Sequence, residues 1–105
     1  MDKIKTKLPT IEEIKRIVTP IAKKYGVERV FVFGSYARGD ATPESDVDFR
    51  IDRGAISTLF ELGGFYSDVE EALSMPIDVL TTKSLDADFL NIIAKEEIMI
   101  YEQYS

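Results

Sequence analysis

The sequence contains no cysteine and no histidine, and these two absences restrict the chemistry that the chain can perform. Without cysteine there is no disulfide, no thiolate nucleophile and no zinc site that needs thiolates. Without histidine the chain lacks the commonest general base and the commonest zinc ligand. Any catalysis must therefore depend on carboxylates, lysine, arginine, hydroxyl groups and a hard metal ion.

Long hydrophobic runs are also missing. No apolar run approaches the roughly 20 residues of a membrane span, and the first residues lack the apolar core of a signal peptide. We therefore expect a soluble, cytoplasmic protein that does not bind membranes. The chain has 105 residues, of which 45% are hydrophobic and 30% are charged. This length and composition predict one globular domain and leave no room for two ordinary ones.

The net charge of −6 is unevenly distributed along the chain. Residues 1–24 carry seven basic and three acidic residues, whereas residues 25–105 carry six basic and sixteen acidic ones. Such an acidic body argues against direct binding of nucleic acid, whose affinity comes from neutralised phosphates. It is compatible with a nucleotide if divalent metal ions bridge carboxylate and phosphate.

The order of predicted elements is that of a small α/β (α+β) domain, a mixed sheet of about four strands flanked by helices. Apolar and β-branched patterns predict four strands, over residues 29–33, 46–52, 77–80 and 98–101. Helical spacing and end signals predict helices over residues 10–25, 55–73 and 86–96, and a short helical segment that follows Gly34-Ser35 and ends at Gly39. We expect a flexible tail over residues 1–9 and a single domain over residues 10–105.

Two of the predicted helices contain residues that disfavour a helix interior. Pro20 cannot donate a backbone hydrogen bond, so we expect a kink or a brief break there. Gly63-Gly64 is expected to interrupt the third helix. The last helix is expected to turn three side chains inward, Phe89, Ile92 and Ile93. Glu96-Glu97 at its end is expected to be a solvated face.

The stretch from Gly34 to Asp48, together with Asp78, carries the chemistry. Gly34 and Ser35 lie where a strand becomes a helix, so their backbone amides and a hydroxyl can hold a phosphate. Asp46 and Asp48 are two apart on a strand, so both carboxylates project from one face, about 7 Å apart. Such a pair suits magnesium ions held together with nucleotide phosphates. Asp78 is an acid in an apolar strand, and its burial there is costly unless it is paired or binds a cation. By itself it could also be an edge-strand acid that points at water.

The string FGSYARG at residues 33–39, followed by SDVD at residues 45–48, resembles the signature of the minimal nucleotidyltransferase family. This family is part of the DNA polymerase β-type nucleotidyltransferase superfamily. The resemblance covers nearly the whole chain and includes the PIDVL strand at residues 76–80. It implies the polymerase β-type nucleotidyltransferase fold.

The resemblance also implies the roles of individual residues. Asp46, Asp48 and Asp78 would ligate magnesium, two ions with ATP, and Asp78 would help to deprotonate the acceptor hydroxyl. The implied nucleotide-binding residues are Gly34, Ser35, Arg38 and Ser45. Members of the family commonly serve as antitoxins that transfer AMP from ATP to a tyrosine of a HEPN-type RNase toxin. The implied partners are therefore ATP and such a toxin, in a hetero-oligomer.

Arg50 departs from the family pattern, which has aliphatic residues after the second aspartate. It places a cation on the carboxylate face of its strand, where it could pair with Asp52, reach phosphate or compete with metal.

Three alternatives to an active adenylyltransferase antitoxin remain open. The first is a non-catalytic antitoxin that only binds and masks its toxin, and the complete set of three aspartates argues against it. The second is a small-molecule nucleotidyltransferase, which would need a further domain to hold its acceptor. The third is an unrelated acidic scaffold, which is disfavoured because the matches fall in strand, turn and strand together.

Overall fold

The computed structural model describes residues 8–104, so the predicted tail lies almost entirely outside the described residues. The helices are α1 (Ile11–Tyr25), α2 (Ser35–Arg38), α3 (Leu59–Leu73) and α4 (Ala87–Ala94). The strands are β1 (Arg29–Phe33), β2 (Val47–Asp52), β3 (Ile77–Thr81) and β4 (Ile98–Glu102), and a 3-10 helix spans Thr82–Ser84. This order confirms the predicted fold class, and Leu8 already packs against the core.

The four strands form one mixed sheet in the order β3-β2-β1-β4. The central strand β1 is antiparallel to both β2 and β4, whereas β2 and β3 are parallel. A parallel pair needs a long crossover connection, and α3 supplies it between β2 and β3. Strands β3 and β4 are consequently the two edges of the sheet.

One face of the sheet packs against α1 and α3 and forms the hydrophobic core. Alternation along β2 places three fully buried side chains on this face, Val47, Phe49 and Ile51. They pack with residues of the two helices, among them Ile14, Val18, Phe65 and Val69. The polar residues of β2 therefore lie on the opposite face, where Phe89 of α4 packs edge-on against Phe33 of β1.

Helix α1 has the predicted capping box, in which Thr10 and Glu13 each bond the other's backbone amide. Of the kink or brief break expected at Pro20, the break is wrong, because the helix runs without interruption to Tyr25. Pro20 is exposed, so water can replace the hydrogen bond that the proline cannot donate.

Helix α3 begins at Leu59 rather than at residue 55, behind a second capping box formed by Thr58 and Glu61. The interruption expected at Gly63-Gly64 is also wrong, since the helix continues to Leu73. A Cβ at Gly64 would lie 2.8 Å from the hydroxyl oxygen of Tyr25. This glycine therefore permits the close packing of α1 and α3.

Helix α4 turns only part of its expected apolar set inward. Ile93 is buried and Phe89 is half-buried, but Ile92 is 63% exposed, so its expected burial is wrong. Neighbouring helical residues point about 100° apart, so both isoleucines cannot face the same sheet. No helix within residues 8–104 combines the length and hydropathy needed to cross a membrane.

Candidate active site

Asp48 of β2 and Asp78 of β3 are direct partners in the parallel register of the sheet. Residues paired in this way point to the same side, so both carboxylates lie on the face opposite the core. Asp48 is half-buried, but Asp78 is exposed, so the costly burial considered for an acid in this apolar strand does not occur. The reason is that β3 is an edge strand, which leaves Asp78 open to solvent and to other molecules.

Asp46 immediately precedes β2 and is exposed. Burial, followed by the negative charges of Asp78 and Asp46, raises the pKa of Asp48 to about 6. The charge of Glu96 adds to this effect, whereas Arg38 opposes it. The three aspartates therefore share one electrostatic environment in which negative charge is only partly compensated.

The donor set of this site suits a hard divalent cation, because carboxylate oxygens are the ligands that magnesium and calcium prefer. Within residues 8–104, no three acidic side chains are already drawn together closely enough to hold one ion. Three like charges repel one another, and a cation between them would offset that repulsion. Magnesium ligation by Asp46, Asp48 and Asp78 stays a prediction with which this arrangement is compatible.

Gly34 follows β1 and precedes α2 with a positive φ of 74°, which favours glycine. A Cβ at this position would also overlap Oδ2 of Asp48. The glycine therefore brings the backbone of the β1–α2 turn against the Asp48 carboxylate, and Ser35 follows as the first residue of α2. The predicted phosphate donors of this turn thus lie next to Asp48, one of the predicted metal ligands.

Glu96 also lies at this site, although the sequence predicts that it belongs to a solvated helix face. Its Oε2 accepts a hydrogen bond of 2.7 Å from the backbone amide of Gly34. Nη1 of Arg38 donates to both Glu96 oxygens at 3.2 Å, and its Nε donates to Asp40 at 3.2 Å. The Gly34 amide and Arg38, both predicted to hold phosphate, are here bound to a carboxylate. No local pattern signals this contact, because 62 residues separate Glu96 from Gly34.

Ser45 closes the loop that leads into Asp46. Its hydroxyl oxygen accepts a hydrogen bond of 2.9 Å from the backbone amide of Thr42. In this arrangement the side chain shapes the approach to β2, and its contact with nucleotide stays a prediction.

Arg50 is buried on the site face of β2, but its guanidinium is held by partners beyond the three aspartates. Nε and Nη2 donate to the two oxygens of Glu97 at 3.0 and 2.8 Å, and Nη1 donates to Thr82 at 2.7 Å. The guanidinium lies 3.7 Å from Asp52 and stacks on the ring of Phe31. Arg50 therefore forms an ion pair with Asp52, but Glu97 is its closer partner. The expected solvation of Glu97 is wrong, since its side chain is only 14% exposed.

The sequence is similar to known nucleotide-transferring proteins. A model of the family described as Polymerase beta, Nucleotidyltransferase matches residues 12–105. A Methanocaldococcus jannaschii protein named "putative protein adenylyltransferase" is 41% identical over 75 residues, 71% of this chain and 81% of that relative. The protein adenylyltransferase MntA of Thermococcus cleftensis is 30% identical over 95 residues, 87% of this chain and 96% of the relative.

Solved structures share the fold. One described as a "putative minimal nucleotidyltransferase" has a TM-score of 0.75 and 26% identity, covering 86% of this chain and 95% of the other. The complex of a tri-AMPylated Shewanella oneidensis HEPN toxin with its MNT antitoxin contains a chain with a TM-score of 0.68. That chain is 10% identical, and the match covers 90% of this chain and 74% of the other, so this likeness shows the fold alone.

Proposed function

Because the chain belongs to the polymerase beta nucleotidyltransferase family, and is thus a nucleotidyltransferase, we propose that it is a protein adenylyltransferase antitoxin. It transfers AMP from ATP to a tyrosine of a HEPN-type RNase toxin and thereby neutralises that toxin. The observation that carries the proposal is the pairing of Asp48 with Asp78 beside the backbone of Gly34.

The chain's own residues divide into two groups in this reaction. Gly34 and Ser35 hold the outer phosphates of ATP at the β1–α2 turn, with Arg38 supplying positive charge. Asp46, Asp48 and Asp78 would hold magnesium, which would neutralise phosphate charge and steady the entering and leaving oxygens at the α-phosphorus.

The transfer step also needs a proton acceptor, and one of these carboxylates can supply it. The oxygen of the acceptor hydroxyl forms a bond to the α-phosphorus, the bond to the β-phosphate breaks, and pyrophosphate leaves. The hydroxyl proton passes to a carboxylate, and Asp78 suits this role because it is exposed beside Asp48.

An acceptor that is itself a protein fits the position of the site. Asp46 and Asp78 are both exposed, and Asp78 lies on an edge strand. A tyrosine on a flexible segment of another chain can therefore approach the aspartates from solvent. The excess of acidic residues over residues 25–105 suits a basic, RNA-binding partner and would increase the rate of encounter.

The direct test is transfer of label from ATP to a co-expressed HEPN-type toxin. The purified pair is incubated with magnesium and ATP labelled at the α-phosphate, and the toxin is analysed by mass spectrometry. The proposal expects a mass gain of AMP units on a toxin tyrosine and loss of RNase activity.

Two other results would redirect the proposal. A toxin that is bound and inactive but never labelled would assign the chain to antitoxins that act by masking. A toxin that is neither bound nor modified would favour transfer to a small-molecule acceptor.

A further inference from the structure

The carboxylate of Glu96 lies between two donor groups, the backbone amide of Gly34 and Nη1 of Arg38. It accepts one hydrogen bond from the Gly34 amide at 2.7 Å and two contacts from Nη1 of Arg38 at 3.2 Å. A hydrogen bond with a charged donor or acceptor is about twice as strong as one between neutral groups. The site therefore already binds an oxyanion, and that oxyanion belongs to the protein.

The fold fixes Glu96 in this place through its neighbour. Glu97 forms two hydrogen bonds with the buried guanidinium of Arg50. The backbone amides of Glu96 and Glu97 both donate to the carbonyl of Ile93, at 3.0 and 2.8 Å. The end of α4 is thus tied to β2, and the Glu96 side chain is aimed at the Gly34 turn.

The side chain of Glu96 is nevertheless able to leave. It is 24% exposed, so a rotation about its own bonds can carry the carboxylate to solvent without moving the backbone. Arg38 is 48% exposed and retains Asp40 as a partner when Glu96 departs. The two states therefore differ by side-chain positions only.

We propose that Glu96 is an intramolecular competitor of the nucleotide, whose carboxylate must move away before a phosphate can take the Gly34 amide and Arg38. The inference rests on the proposed function, because it takes these donors to be the phosphate-binding groups. One amide N–H cannot donate fully to a carboxylate and to a phosphate at once, and the two anions repel each other. Nucleotide can use these donors only in the molecules in which Glu96 has moved away. The apparent affinity for nucleotide is therefore lower, in proportion to the fraction of molecules whose donors are free.

The test compares nucleotide binding by the wild type with that by Glu96→Gln and Glu96→Ala. The probe is the ATP analogue with a methylene group between the α- and β-phosphates, with magnesium, titrated by calorimetry. Both variants are expected to bind roughly three- to tenfold more tightly. Glu71→Gln is the matched control, because it removes the same charge from an exposed position on α3, and it is expected to bind as the wild type does.

A second measurement, made without nucleotide, tests the contact itself. The Gly34 amide proton is followed by NMR in the wild type and in Glu96→Gln. Loss of a hydrogen bond to a charged oxygen is expected to shift this resonance upfield, while amides of α1 stay in place.

The outcomes separate this inference from the proposed function. Tighter binding by both Glu96 variants, with an unchanged control, supports the inference. Equal or weaker binding by these variants overturns it and leaves the proposed function standing. If the Gly34 resonance shows the contact but no variant binds the nucleotide, both the proposed function and the competition are overturned. An unshifted Gly34 resonance overturns the inference whatever the binding results.

Discussion

Asp48 and Asp52 lie four residues apart on the same face of the same strand, yet their surroundings shift their acidities in opposite directions. Burial and the charges of Asp78 and Asp46 raise the pKa of Asp48 to about 6. Burial also acts to raise the pKa of Asp52, but hydrogen bonds from Thr82 and Arg29 prevail and lower it. Both carboxyl groups are partly buried, so burial does not explain the opposite pKa shifts. The shifts differ because the charges around the two ends of β2 differ.

This difference separates the region of the proposed site from a structural one. Around Asp52, acidic side chains alternate with arginines in a network of ion pairs. Arg29 pairs with both Asp52 and Glu102. Arg50 pairs with both Asp52 and Glu97. Around Asp48, three aspartates face one another with little positive charge to offset them. Such incomplete compensation costs stability in the free protein and favours a bound cation, which is typical of a site and not of a structural network.

The comparison can be tested most severely by replacing each aspartate with its neutral isostere. Asp48→Asn removes a proposed magnesium ligand, so AMP transfer should fall on the order of 1,000-fold or more. Asp52→Asn leaves the three aspartates untouched, so its folded molecules should keep transfer within a few-fold of the wild type. Rates of label transfer under saturating ATP measure both. Equal losses in the two variants would show that the two ends of β2 are not distinct.

The largest effect on stability should come from the structural end. Arg50→Met leaves Glu97 buried without its cation, and breaking a buried ion pair costs about 3–5 kcal/mol. Thermal unfolding should therefore shift downward by more than about 10 °C. The double variant Arg50→Met with Glu97→Met serves as the control, because an apolar pair should recover most of the loss. A single variant that unfolds like the wild type would contradict the structural role.

The pH dependence of stability should distinguish the two ends as well. Asp48 binds its proton more tightly in the folded chain than in the unfolded one, where its pKa is about 4. Its contribution to stability is therefore complete below about pH 4 and is lost as the pH rises through about 6. After allowance for solvent screening of a half-exposed group, the loss is about 1–2 kcal/mol.

Urea unfolding of the wild type and of Asp48→Asn measures this loss. The variant should be the more stable protein at pH 7, and the two should converge at pH 4. Magnesium should remove the variant's advantage, since only the wild type keeps the full set of carboxylates. An advantage that does not change with pH would contradict the pKa shift.

Local patterns in the sequence were sufficient to predict the order of the helices and strands and the faces of β2. The alternation of β2 predicts that Asp48, Arg50 and Asp52 share a face, and they do. The capping box of Thr58 and Glu61 is an equally local signal, and it sets the start of α3 at Leu59 rather than at residue 55. The error at Gly64 has another cause, because its close contact with Tyr25 joins helices about forty residues apart.

Hydrogen bonds between residues that are distant in the chain could not be predicted from the sequence. The contact between Gly34 and Glu96 spans 62 residues, and the bonds of Arg50 to Glu97 span 47. Charge alone made Glu96-Glu97 resemble a solvated helix end. Only the packing of α4 beside β1 brings these two glutamates onto the site face, one to each region.

The smallest effect is expected from a single hydroxyl in the structural region. The Thr82 oxygen accepts a bond from Arg50 at 2.7 Å and donates to Asp52, so Thr82→Val leaves both partners with one bond fewer. Loss of such bonds should cost about 1–2 kcal/mol. The pKa of Asp52 should rise, because the Thr82 bond is the foremost of the interactions that lower it.

Thr81→Val is the matched control, since the Thr81 hydroxyl makes no hydrogen bond recorded within residues 8–104. Urea unfolding at pH 7 and near pH 3 measures the loss, which should be larger at pH 7, where Asp52 is fully charged. AMP transfer should be unchanged, because Thr82 contacts none of the three site aspartates. A loss of transfer without a loss of stability would mean that the charges of the two regions are coupled through Arg50, and the contrast between Asp48 and Asp52 would then be one of degree.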